Sequence, residues 1–454
     1  MERVYFIGIG GIGMSAIARY FAFRGLEVAG YDLVRTPLTD ALTEQGIKIH
    51  FEDDPTLIPE TFRDKYETLV VYTPAVPQSH RELCFFREHG YEVLKRAQIL
   101  GRITRMGQAL CVAGTHGKTT TSTMLAHLLR SSEPDCNAFL GGISVNYGSN
   151  YLLSGSSDLI VVEADEYDRS FHQLSPHIAV VTSTDPDHLD IYGTNAAYVD
   201  SFRHFVSLIE EGGCLVMKKG LSIGDAIRSG VKLFTYSAEE PADYYASNTL
   251  FEDGHLYFDW HGPNGEELKR LDLGVPLRIN VENAVAALAV AHLSGSSLGR
   301  LRAGIASFRG VQRRFERVVD TDRVVLISDY AHHPSELKAS LSSVRELYKG
   351  KRILGIFQPH LYSRTADFYQ EFAENLSLLD EIILVDIYPA REEPMKGVSS
   401  QMIADLLPGD VPVVAKNALL PLLKTRQVPD VVIVLGAGDI DHELPYLAEY
   451  LRSL

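Results

Sequence analysis

Cysteine is scarce here: Cys84, Cys111, Cys136 and Cys214 are the only four in 454 residues, and no two form a Cys-x-x-Cys pair. That excludes a disulfide framework and gives no zinc-site spacing, so the thiols are expected to be reduced and structural. No apolar run reaches the roughly 20 residues that a membrane helix needs. The opening Met1-Glu2-Arg3-Val4-Tyr5-Phe6-Ile7-Gly8 runs straight into a strand and a glycine turn, without the basic, apolar and small-residue order of a signal peptide. The expectation is a cytoplasmic protein with no membrane partner. Positive charge is also short, with 43 Lys and Arg against 59 Asp and Glu and a formal net charge of -16. A nucleic-acid binder carries a basic face that displaces counterions, so no nucleic-acid partner is expected. Anionic substrates must instead meet locally placed cations and helix ends.

What the chain does have is room and α/β rhythm. With 45% hydrophobic and 22% charged residues it has the composition of a globular protein, and its length suits about three domains. The most informative stretch is Ala109-Leu110-Cys111-Val112-Ala113-Gly114-Thr115-His116-Gly117-Lys118-Thr119-Thr120, which reads as a buried strand, a glycine turn and a helix N-terminus. Gly114 and Gly117 let backbone N–H groups curl inward around a phosphate. Lys118 can reach the β/γ-phosphates, and Thr119 offers a hydroxyl to Mg2+. The strict P-loop pattern wants glycine where Val112 stands, so this is a shortened Gly-Thr-x-Gly-Lys-Thr form.

Upstream, a strand leads into Gly8-Ile9-Gly10-Gly11-Ile12-Gly13, a helix and a second strand ending at Asp32. This is a Rossmann-type opening in which Asp32 is placed to accept from a ribose hydroxyl. The motif alone leaves open a nucleotide, a nucleotide sugar or merely tight packing. Arg102 to Gln108 is a plausible linker. Downstream, the apolar run Leu159-Ile160-Val161-Val162 stops at Glu163-Ala164-Asp165-Glu166, where an acidic side chain leaving a buried strand points to Mg2+. A third strand runs into Asp185-Pro186-Asp187-His188, where His188 is either functional or merely solvated. Residues 231 to 277 read as hairpins joined to this sheet. Asn280 and Asn283 open a buried helix either as caps, the favoured reading, or as amide readers of a base edge. Beyond Gly310-Val311-Gln312-Arg313-Arg314-Phe315, the expected hinge, strands at 324–328, 352–357, 381–385 and 431–435 alternate with helices near 335–348, 365–379 and 399–407. Their ends carry Asp329-Tyr330-Ala331-His332-His333-Pro334 and Gln358-Pro359-His360-Leu361-Tyr362-Ser363-Arg364.

In this order the motifs resemble the Mur ligases of bacterial cell-wall synthesis, over nearly the whole chain. The resemblance implies an α/β protein of three domains: residues 1–107, Rossmann-like and UDP-binding; 108–312, a P-loop ATPase with a mostly parallel sheet; and 313–454, again Rossmann-like. It implies ATP-dependent ligation of L-alanine to the lactoyl carboxylate of UDP-N-acetylmuramate through an acyl phosphate, in peptidoglycan precursor synthesis. Carried over by position, Gly114, Thr115, Gly117, Lys118, Thr119 and Thr120 hold ATP phosphates. Thr119, Glu163 and His188 hold Mg2+, and Lys118, Glu163 and His188 are the catalytic group. Asn280 and Asn283 face adenine, while Arg314 and Asp329 reach ATP across the hinge. Gly10, Gly11, Gly13 and Asp32 take the UDP-sugar. Arg364 is expected to grip the alanine carboxylate, with Tyr330 or His332 orienting the amine; some relatives have a second arginine where Leu361 stands. Two rivals are a recycling ligase that adds a tripeptide to the same sugar nucleotide, and, more remotely, an NAD-dependent Rossmann enzyme. A monomer and a homodimer are both open.

Overall fold

The computed structural model describes residues 2–187, 189–252, 254–390 and 392–454. Among them three sheets form, of five, ten and six strands, each built mainly from the continuous apolar runs that parallel strands require when both faces are covered. In the first, the strands stand in the order Lys48–His50, Glu27–Tyr31, Arg3–Ile7, Thr68–Tyr72, Glu92–Lys95, and every pairing is parallel. The order reverses beside Arg3–Ile7, so the glycine turn that follows this strand opens at the switch point where α/β sheets bind ligands. Helix Ile12–Phe23 then covers one face, burying Met14, Ile17 and Phe21.

The second sheet is parallel at its centre, with Gln108–Ala113 between Ile178–Val181 and Leu159–Glu163. Strands Tyr244–Glu252, His255–His261 and Glu267–Asp272 extend one edge as antiparallel hairpins, as the turn clusters there predict. Helices Lys118–Arg130 and Arg278–Leu293 pack together on one face, around Leu125, Leu128, Ala287 and Leu288. The other face shares a continuous core with the first sheet's helices, joining Ile17 and Tyr20 to Phe139 and Val162. Tyr20 and Phe139 meet edge to face at 5.5 Å, and Asn150 donates to the Ile12 carbonyl at 3.0 Å. The third sheet runs Glu316–Asp320, Val325–Asp329, Val431–Leu435, Ile353–Phe357, Glu381–Val385, Val413–Val414, antiparallel only at its first pair.

Three expectations shift. The stretch Arg102 to Gln108 is not all linker: helix Arg96–Thr104 takes its start and strand Gln108–Ala113 its end. Asn280 and Asn283 are not caps, because helix Arg278–Leu293 begins earlier and both lie inside it. Residues 310–312 are zipped to the second sheet, with Val145 N–H donating to Gly310 O at 3.0 Å and Gln312 N–H to Ile143 O at 2.8 Å. The chain turns only after that, where Arg313 and Phe315 take positive φ values of 59° and 50°.

Candidate active site

Strand Gln108–Ala113 delivers the glycine turn to the N-terminus of helix Lys118–Arg130, where unpaired backbone N–H groups and the helix dipole favour an anion. The turn is tied to the neighbouring strand end: Thr115 N–H donates to Ser183 O at 3.2 Å and His116 N–H to Ser183 Oγ at 2.9 Å. Gly117 has φ 81°, and a Cβ there would lie 2.6 Å from Asn283 Oδ1, so this position demands glycine on two counts. Asn283 is buried beneath the turn, accepting from Thr121 Oγ1 at 3.1 Å and donating to Asn280 Oδ1 at 3.0 Å, while Asn280 donates to Val275 O. Asn283 thus packs against Gly117 and ties down the start of the helix, with Asn280 holding its amide in place, contacts the residue types alone did not reveal.

At the turn's mouth, Lys118 Nζ donates to Gly114 O at 2.6 Å and to Glu166 Oε1 at 2.7 Å. Glu163 leaves its strand to accept from Thr119 Oγ1 and from Gly141 N–H, both at 3.0 Å. Desolvation pushes the Glu163 carboxyl up, against the pull of the Lys118 charge and the Thr119 hydrogen bond. A hydroxyl and a carboxylate side by side at a phosphate turn are hard oxygen donors of the kind Mg2+ takes, with phosphate and water completing its shell, so the residues fit that ion. His188, the third expected metal ligand, lies outside the described residues.

A cavity of about 490 Å³ opens over this turn. Its walls bring together Thr115, Gly117, Lys118, Thr119, Thr120, Glu163, Asn280 and Asn283 from the second unit with Arg314 and Asp329 from the third. Gly114 gives Lys118 its carbonyl but does not line the cavity. Asp329 ends strand Val325–Asp329, accepts from Phe315 N–H at 3.3 Å, and has its carboxyl pushed up by burial. Arg313 and Arg314 both lie over the Tyr330 ring, at 4.9 and 5.1 Å, and Arg313 is further tied to Asp441.

The imidazoles of His332, His333 and His360 gather here with the guanidinium of Arg364. His332 lies edge to face with Tyr330 and with His360 at 5.3 and 5.8 Å. Burial, then the charges of His332 and Arg364, holds the His360 imidazole below its usual value. Burial lowers His333 too, and the charges acting on it include Arg364 of its own unit and Asp187 of the second. Arg364 lies in the first turn of helix Tyr362–Leu376 with Nη1 buried and without a hydrogen-bond partner, which is not how a surface-paired arginine sits. Leu361 caps that helix at φ 72° and brings no second cation to Arg364.

The first unit's glycine turn is partly occupied by its own carboxylate. Asp32 Oδ2 accepts from Gly10 N–H at 2.7 Å and Oδ1 from Val34 N–H at 3.2 Å, so the Gly10 N–H is not free. Gly11 precedes helix Ile12–Phe23 as its N-cap. Gly13 lies against Arg96: a Cβ there would fall 2.5 Å from Arg96 Nη1. Arg96 was not foreseen, although its place just after the parallel strand Glu92–Lys95 is a signal that could have found it. A second cavity, of about 100 Å³, runs from Gly13 and Arg96 past Asn150 to Glu163 and Asp165. Glu163 therefore faces both cavities.

Comparison with known proteins gives the same three parts. The model described as the Mur ligase family catalytic domain matches residues 3–107, the Mur ligase middle domain 112–291, and the Mur ligase glutamate ligase domain 313–438. A UDP-N-acetylmuramate–L-alanine ligase of Porphyromonas gingivalis is 61% identical over 456 residues, covering 100% of both chains. This chain is a Mur ligase. Among solved structures it is similar to a UDP-N-acetylmuramate–alanine ligase of Thermotoga maritima, at TM-score 0.79 and 27% identity over 99% of each chain. It also resembles a murein peptide ligase of Psychrobacter arcticus, at TM-score 0.66 over 99% of each chain, but at 20% identity that likeness shows the Mur ligase fold alone. Among the described residues no helix is long and apolar enough to cross a membrane.

Proposed function

We infer that this Mur ligase joins L-alanine to the lactoyl carboxylate of UDP-N-acetylmuramate at the expense of ATP. The observation that carries the reading is the place of Glu163 between two cavities, lining the phosphate-turn cavity on one side and the glycine-turn cavity on the other. A nucleotide in the first and the carboxylate end of a sugar nucleotide reaching along the second would bring a γ-phosphate and a carboxylate to one place. The carboxylate oxygen takes the phosphoryl group and ADP leaves; the alanine amine then attacks the acyl carbon, losing a proton as phosphate departs.

Lys118 and the turn's N–H groups bind and orient the phosphates, and Asn280 and Asn283 line the wall assigned to adenine together with Leu277 and Ile279. Thr119 and Glu163 would hold Mg2+, with His188 as the expected third ligand; when bound, the ion neutralises charge on the transferring phosphoryl group. Arg314 and Asp329 contact the nucleotide from the third unit. Gly11, Gly13 and Arg96 take the diphosphate of the sugar nucleotide, with Asp32 holding the turn in shape. Arg364 takes the alanine carboxylate, and Tyr330 and His332 orient its amine. The proposed domain limits remain 1–107, 108–312 and 313–454, and the proposed location is the cytoplasm.

The test is phosphate release with each substrate omitted in turn. Release is expected only when ATP, UDP-N-acetylmuramate, L-alanine and Mg2+ are all present. Faster turnover with the tripeptide than with L-alanine would return the choice to the recycling ligase, and NADH formation without ATP would overturn the reading altogether.

A further inference from the structure

Lys118 already has as many partners as it has hydrogens. Its ammonium lies 2.6 Å from Gly114 O, 3.3 Å from Thr115 O and 2.7 Å from Glu166 Oε1, and an ammonium has three N–H donors. A phosphate oxygen can be bonded only if one of these acceptors yields. What each would be left with decides which. Glu166 is 1% exposed, and its second carboxylate oxygen is buried with no hydrogen-bond partner. Its backbone carbonyl is held from behind by the buried Tyr192 hydroxyl, so the residue is not free to turn to solvent. Withdrawing Lys118 would strand a buried carboxylate without compensation, the costliest way to break an ion pair. Thr115 O makes the longest of the three contacts, and Thr115 belongs to a half-buried turn that water can reach.

We propose that Glu166 is a positioning residue for phosphoryl transfer: it keeps the Lys118 ammonium anchored by a buried ion pair while the Thr115 carbonyl is exchanged for a phosphate oxygen. This rests on the reading of Lys118 as the phosphate-binding lysine. A lysine stem has many rotamers, and an exposed one gathers charge wherever phosphate happens to lie. Anchored at one end of its reach, Lys118 is preorganised for the charge that develops during transfer, not for the ground state. Removing the anchor therefore acts on kcat more than on nucleotide affinity.

The experiment compares wild type, Glu166→Gln, Lys118→Met and the double variant by thermal midpoint, MgADP affinity from calorimetry, and kcat measured at high enzyme concentration. Glu166→Gln is expected to lower kcat by about 10- to 100-fold, the scale of one lost electrostatic contact in the transition state, with MgADP Kd within about threefold of wild type. The double variant is expected to be no slower than Lys118→Met. The proposal is overturned by a Glu166→Gln kcat within about threefold of wild type, by a Kd loss that matches the kcat loss, or by independent, multiplying effects in the double variant. Normal turnover by Lys118→Met would instead sink the lysine reading itself. If Glu166→Gln does not fold, Glu166→Asp keeps the charge but draws it back by one methylene; it is then expected to lower kcat at wild-type MgADP affinity, and an unchanged kcat overturns the proposal.

Discussion

Arg364 shows how a single residue divides between structure and function. A guanidinium nitrogen buried without a partner is a cost to the fold, and such costs persist where a ligand supplies the missing acceptor. Arg364→Ala is expected to remove one charge-assisted contact, about 1.5 to 3 kcal/mol or roughly 10- to 100-fold in the apparent affinity for L-alanine. The KM values for ATP and UDP-N-acetylmuramate should stay within about twofold, and equal losses for all three would assign Arg364 to domain closure. His127 has a purely structural part. Burial lowers its imidazole to about 4, and it lies between Tyr147 OH and Ser307 Oγ, each at 2.9 Å. The unfolded chain binds this proton near pH 6.5, so stability is full above that value and falls as pH drops through 6.5 toward 4, by about 3 kcal/mol. Urea midpoints between pH 7 and pH 4 should decline less steeply in His127→Gln than in wild type. Of these two residues, Arg364 stood out in the sequence as a candidate because it follows a strand end among polar residues. His127 reads only as one more polar residue on an apolar helix, since its partners come from segments 20 and 180 residues away.

At the scale of elements, helix starts hold the site in place. The helix Pro334–Leu347 begins with Glu336 reaching back to the His332 and His333 N–H groups at 3.0 and 3.3 Å. Burial pushes the Glu336 carboxyl up, but hydrogen bonds from His332 and the Arg314 charge outweigh this and hold it at about 2. Its stabilising contribution is therefore present above pH 4.5 and lost as pH falls through 2. Glu336→Gln should flatten the acid limb of the unfolding curve in that window while leaving stability at pH 7 lower than wild type; superimposable curves would mean that the cap is idle. The phosphate turn gives a sharper case. Gly117→Ala puts a Cβ into the left-handed region and against Asn283 Oδ1, so MgADP affinity should drop by more than about tenfold even if the protein stays folded. Strand and turn types were readable here because continuous apolar runs and glycine spacing are local signals. Helix limits were not, as at Arg96–Thr104, whose last residues from Arg102 on fall in the stretch expected to be linker but are helical because Ile99 and Ile103 bury against the shared core.

For the whole molecule, the cavity over the phosphate turn takes its walls from both the second and the third units. One visible tie is the ion pair between Arg278 and Glu346, which joins helix Arg278–Leu293 to helix Pro334–Leu347, with Arg278 Nε 2.8 Å from Glu346 Oε2. Both side chains are more than a third exposed, so the pair adds little to stability, and Arg278→Ala should leave the urea midpoint almost unchanged. Its effect is expected on closure: without nucleotide, small-angle scattering should show a larger radius of gyration than wild type, reversed by an ATP analogue. Identical radii would place the closing force in other contacts. By itself the sequence determined the three α/β units and the phosphate turn, because each rests on residue types at short, regular spacing, and the order of its motifs was enough for a resemblance to the family. Only the tertiary structure decided that Asn283 packs against Gly117, that Asp32 occupies the Gly10 N–H, that Arg96 lies on Gly13, and that Glu166 holds Lys118. Those contacts join residues 22 to 162 positions apart, and nothing in local spacing encodes which distant strand ends will be packed together.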